Sequence, residues 1–163
     1  MTGGGWIDSP LGAYLDDESA AGKASFGFVS KYKKGQSIPD GSTQFVFSSV
    51  GFEFISTSYE WLVITGSDCA KFKGIGKVGS AQEVAGHGFM LTACDSGEPA
   101  GGNDTFRIKI WSLDDDSVVY DNQMGALDDS FVGTVLGGGN IQIHQQQSGG
   151  GGGGGNKMLR ARD

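Results

Sequence analysis

The sequence predicts an all-β domain, an antiparallel β-sandwich or jelly-roll-like fold of about eight or nine strands, and three observations carry that expectation. Short runs rich in Phe, Val, Ile, Tyr and Trp recur between clusters of Gly, Asp and Ser, which is how strands and turns alternate. Several of those runs place apolar residues at every second position, so that one face of a sheet is buried. No window of a dozen residues keeps the i, i+3, i+4, i+7 apolar pattern of an amphipathic helix.

Each element follows from the same reasoning. "GWI" near the start reads as an edge strand. Residues 23–34 place Phe26, Phe28, Ser30 and Tyr32 on one face, and residues 43–49 do the same with Phe45 and Phe47. Residues 51–66, "GFEFISTSYEWLVITG", make two strands or one bent one, with Phe52 and Phe54 facing inward and Trp61 read as core from its neighbours Leu62, Val63 and Ile64. Residues 69–78 and 87–94 form a hairpin folded near Gln82. Residues 104–112 and 117–121 form a second hairpin around the acidic turn Asp114 to Asp116. "GNIQIHQ" at 139–145 is the last strand, and glycine triplets before "WI" and before "NIQI" place it near the first. The rings share one core, since each aromatic side chain buries about 150–250 Å².

Composition bounds the class. A chain of 163 residues suits one domain able to bury a sizeable core. Thirty glycines against three prolines exceed the ordinary glycine share, and they divide into turn punctuation and one tail. Residues 1–147 form the β module. Residues 148–163 carry a run of seven glycines, whose backbone entropy disfavours order; they read as a linker or read-through end, or alternatively as a tail that adds to a neighbour's sheet edge. With 12 basic and 19 acidic side chains the formal charge is -7, which disfavours nucleic acid and anionic membranes as partners. No apolar run reaches the roughly 20 residues of a membrane span, and "MTGGGWIDSP" lacks the regions of a signal peptide. Met1, separated by one residue from a glycine triplet, fits an excised module.

Cys69 opens one strand of the first hairpin and Cys94 closes the other, so they fall nearly opposite each other. Either a cross-strand disulfide forms, which points to an oxidising compartment, or two thiols are buried.

In "DTFRIKIW" Phe106, Ile108 and Ile110 form the core face, while Arg107, Lys109 and Trp111 form an opposite, wet or partner-facing surface. That trio is the candidate binding site, with Trp111 as a stacking platform or as an indole covered by the two cations. Acidic loops supply a candidate calcium set: Asp95, Glu98 and Asp104 around a Gly/Pro loop, and Asp121, Asp128 and Asp129 after the second hairpin. Calcium takes six to eight oxygens from such irregular segments, and solvated turns use the same residues for local hydrogen bonds. EF-hand spacing, metal-ligand histidine spacing and a G-x-S-x-G elbow are absent. Nothing selects a carboxylate pair for glycoside hydrolysis. His87 and His144 stand alone. A non-catalytic protein is expected.

Taken in order, "TGGGWIDSPLGAY", "GKASFGFVSKYKKG", "STSYEWLVITG", "HGFMLTA", "DTFRIKIW", "VVYDNQMGALDD" and "GGGNIQIH" closely resemble a bacterial extracellular β module. That module occurs toward the C-terminus of large secreted or surface proteins, after polycystic-kidney-disease-like repeats and choice-of-anchor domains. The resemblance covers about residues 2–145, while the two cysteines, the segment "KVGSAQEVAGHG" and the glycine tail depart from its pattern. It implies an exported, non-catalytic accessory module and carries no catalytic residues across. The expectation is therefore a structural or adhesion module outside the cell or at its surface, attaching to other extracellular domains, to its own copies or to surface polysaccharide. A carbohydrate-binding module is the alternative and a hydrolase the third reading.

Overall fold

The computed structural model describes residues 1–32, 34–65, 68–79, 86–95 and 103–143. Among them ten strands form one antiparallel sheet: β1 (Thr2–Ser9), β2 (Gly22–Lys31), β3 (Asp40–Phe47), β4 (Phe52–Thr65), β5 (Cys69–Val78), β6 (His87–Cys94), β7 (Thr105–Ser112), β8 (Val118–Asp121), β9 (Thr134–Val135) and β10 (Gly138–Gln142). Their order is β10-β1-β2-β3-β4-β5-β6-β7-β8, with β9 also on β7. A single 3-10 turn, Ser48–Val50, joins β3 to β4. The all-β antiparallel class read from the sequence is the class observed.

The sheet curls so that distant strands face each other across the core. Phe26 of β2 stacks on Phe106 of β7 with centroids 3.9 Å apart, although four strands separate β2 from β7 in the sheet order. Tyr120 of β8 meets Phe45 of β3 at 4.7 Å and Phe52 of β4 at 6.1 Å. Phe26, Phe28, Phe45, Phe47, Phe52 and Phe54 are all buried, as alternation requires, and Ser30 lies with them. Tyr32 is half-buried and uses its hydroxyl on the Leu62 backbone.

β1 is not an edge. It lies between β10 and β2, paired with both along most of its length. The expected closeness of first and last strands is met by the direct pairing of Gly3 with Ile141 and Gly5 with Gly139.

Both ends of the sheet are closed off. The outer side of β8 bonds to the segment after β1, through Leu15 N–H to Val119 O at 3.1 Å and Asp121 N–H to Ala13 O at 3.0 Å. At the other end, the Ile141 N–H of β10 donates to the buried Asp104 carboxylate at 2.8 Å, and Ile143 N–H donates to Asp95 at 3.4 Å. β7 is finished by a side chain: the Asn122 amide accepts from Ile108 N–H and donates to Phe106 O, both at 2.8 Å. Unsatisfied buried backbone groups are costly, so such caps are structural requirements.

β4 is one strand with two bulges, where residues 57 and 60 have no partner in register with β5. The second bulge reverses the phase of alternation, because an extra residue turns the following side chains to the other face. Tyr59 and Leu62 are therefore both inward and buried, while Trp61 turns outward and is only half-buried. This corrects the reading of Trp61 as core. Gly74 of β5 stands opposite Tyr59, and a Cβ there would collide with the Ser58 carbonyl that the bulge pushes across.

Candidate functional site

The register across β4 to β7 arranges the outward side chains in rows. Cys69 faces Cys94, which faces Thr105. Two residues further along, Lys71 faces Thr92 and Thr92 faces Arg107. In the next row Trp61, Lys73, Met90 and Lys109 lie directly opposite one another on four successive strands. Gly88 then faces Trp111.

Cys69 and Cys94 are joined by a disulfide that closes a separation of 25 residues. The cross-strand alternative weighed from sequence is the one observed.

Arg107 is 1% exposed and belongs to no wet surface. Its guanidinium forms two bonds to the Asp121 carboxylate, at 3.0 and 2.8 Å, and two more to the Leu127 and Ala126 carbonyls. Beside it the Lys71 ammonium, also buried, donates to Thr92 Oγ1, Asp128 O and Ser130 O at 2.6–2.9 Å. Burial, and next the adjacent Arg107 charge, push the Lys71 pKa below its ordinary value. The physical reason for the correction is that segment 122–133 folds back over this row and is held there by both cations. Neither is available to a ligand.

Lys109 and Trp111 fare differently. With Trp61, Lys73, Met90, Asp116, Val118 and Asp128 they line an open groove of about 280 Å³. Lys109 Nζ bonds to Asp128 at 2.7 Å, so the clamped segment forms one wall. Lys73 Nζ lies 5.7 Å from the Trp111 ring centroid and 3.9 Å from Glu60. The Trp111 indole occupies the space that a side chain at Gly88 would need, with ring atoms 2.5–2.6 Å from a hypothetical Cβ. Glycine on one strand thus seats the platform of the next.

The sequence reading places Arg107, Lys109 and Trp111 on the outward face; the structure leaves Lys109 and Trp111 at the groove, buries Arg107, and adds Trp61, Lys73 and Met90 to the lining. A signal for part of this was present. Once Cys69 is set opposite Cys94, the period of two brings Lys73 opposite Met90.

The carboxylates considered for calcium are spent separately. Asp104 caps β10, Asp121 pairs with Arg107, Asp128 pairs with Lys109, and Asp95 accepts from Ile143 N–H. Asp129 is exposed. Among the described residues no three His, Cys, Asp or Glu side chains converge. Glu98, His144, the hairpin tip near Gln82 and the glycine tail lie outside the described residues.

The fold and the groove define an antiparallel β domain that presents an aromatic and charged furrow on the outside of its sheet. Comparison of the chain with protein-family models, curated proteins and solved structures gives no match.

Proposed function

We propose that the domain is a non-catalytic binding module working outside the cell, which attaches the protein that carries it to another surface component through the outer groove. The observation that carries this reading is the row Trp61, Lys73, Met90, Lys109 with Trp111 beside it, an open furrow built on paired strands. Rigid strands hold side chains more closely than loops do, and aromatic residues dominate contact surfaces. The Cys69–Cys94 disulfide supports an oxidising location. Capping of β10 by Asp104 and Asp95, and pairing of β8 with the segment after β1, favour attachment through the groove over growth by strand addition.

The test is co-sedimentation of the full chain with isolated bacterial cell walls. Retention that falls at least about tenfold in Trp111→Ala, with an unchanged circular-dichroism spectrum, supports the reading; a tenfold change corresponds to about 1.4 kcal/mol, within reach of one aromatic contact. Retention indifferent to Trp61→Ala and Trp111→Ala would reject the groove.

A further inference from the structure

The chemistry of the lining narrows what the groove takes, and this step rests on the groove being the attachment surface. We propose that it binds a chain of neutral sugars, with Trp61 and Trp111 as two stacking platforms and Lys73, Lys109, Asp116 and Asp128 as hydrogen-bonding partners for hydroxyls.

The charges of the lining balance. The lining holds two ammonium and two carboxylate groups, and Lys109 is neutralised at 2.7 Å by Asp128. A polyanion would meet carboxylates that repel it, on a chain whose net charge is already -7. A cationic guest would meet two lysines. A neutral polyhydroxyl compound meets neither penalty. Each hydroxyl both donates and accepts, so it uses the ammonium groups as donors and the carboxylates as acceptors. Hydrogen bonds to charged groups are about twice as strong as neutral ones.

Four side chains in register across four adjacent strands span roughly 14 Å at the ~4.8 Å spacing between strands, a length that suits an oligosaccharide segment better than a single ring. At about 280 Å³ and open to solvent, the furrow lies at the low end of the roughly 300–1,000 Å³ range of pockets that enclose small molecules. A passing chain needs no enclosure. The C–H faces of sugar rings are apolar, and the half-buried indoles with buried Met90 between the two lysines offer matching apolar surface.

The lining is also partly preorganised. Trp111 is fixed by lying over Gly88, and the groove wall bearing Asp128 is fixed by Lys71 and Arg107 beneath it. Trp111 and the backbone of that wall therefore have little freedom to lose when a ligand arrives, which favours binding by weakly attractive partners such as sugars.

The test is affinity electrophoresis of the full chain in gels containing a soluble β-glucan, a xylan, a galactomannan or polygalacturonate. Retardation by at least one neutral polymer, abolished in Trp111→Ala and weakened several-fold in Trp61→Ala, is expected; Trp111→Phe should restore part of it. Lys31→Ala, an exposed change on β2, serves as a control that leaves retardation intact. Retardation by polygalacturonate alone, or by none of the neutral polymers, overturns the proposal. Groove-dependent retention on cell walls together with that result would leave the attachment reading standing while removing the neutral-sugar ligand. Concentration-dependent self-association lost in Trp111→Ala, measured by sedimentation velocity, would assign the groove to a second copy and also overturn it.

Discussion

Removing either member of the Arg107 and Asp121 pair should unfold much of what the outer face depends on. Both side chains are almost wholly buried, at 2% and 4% side-chain exposure, and their two bonds are 3.0 and 2.8 Å long. Arg107→Ala leaves Asp121 charged in a dry site and strips donors from the Leu127 and Ala126 carbonyls. Breaking a buried pair from one side costs about 3–5 kcal/mol, because the survivor keeps its desolvation penalty without its partner. For a domain of this size 1 kcal/mol moves Tm by roughly 2–4 °C. A fall of about 6–20 °C is therefore expected.

The assay is thermal and urea denaturation followed by intrinsic fluorescence, with Arg107→Met, Asp121→Leu and the double variant completing a cycle. The double variant should lose markedly less than the sum of the single variants, since replacing both partners by apolar groups removes the unpaired charge. A single-variant loss below about 1 kcal/mol, the range of exposed pairs, would refute the claim that segment 122–133 seals this row from water.

Two further outcomes follow from the same structure. Replacing Cys69 and Cys94 together by Ser opens a loop of 25 residues and should cost about 3.5 kcal/mol on loop-closure grounds, read as a lower Tm that reductant no longer changes. Tyr59 is buried and its pKa is pushed up to about 12 from 10.0. The folded state thus holds that proton more tightly than the unfolded chain, so stability is complete below about pH 10 and is lost as pH climbs toward 12. Tyr120 shifts in the same direction, again chiefly by burial. Tyr59→Phe should flatten the fall in stability across that window, measured by urea midpoints at successive pH values; an unchanged slope contradicts the assignment.

Much of the fold was legible because alternation is a local property. Residues 69–78 and 87–94 coincide with β5 and β6, and the phenylalanine rows are buried as read. Most of the failures lie in contacts that alternation does not encode. Trp61 was misplaced because it was read from its apolar neighbours Leu62, Val63 and Ile64; the bulges at residues 57 and 60 shift the phase and shift it back, so Leu62 is inward like Phe52 and Phe54 and Trp61 is outward. Arg107 was assigned to solvent because its position is outward; what buries it is a segment 15 to 26 residues later in the chain. β9, two residues long and paired only to β7, falls below any periodicity. Asn122 completes the β7 ladder with a side chain where a strand reader looks for backbone.

The outward rows also explain why costly buried cations sit so close to an open surface. Moving along β5 to β7, the chain passes from the disulfide row to the Lys71 and Arg107 row and then to the Lys73 and Lys109 row, each two residues on. The first row ties β5 to β6, and the second anchors segment 122–133. Asp128 belongs to both of the last two rows: its carbonyl accepts from buried Lys71 and its carboxylate from groove-lining Lys109. A hydrophobic pair in place of Lys71 and Arg107 would spare the desolvation penalty, yet would give the Asp128, Ser130, Leu127 and Ala126 carbonyls no donors. Lacking those bonds, the middle of the segment is held mainly through its ends, where Asn122 and Gln123 bond to β7 and Thr134, and Asp128 is positioned less firmly against Lys109. The buried cations are best understood as the foundation of the groove wall, stability spent to hold one carboxylate in place.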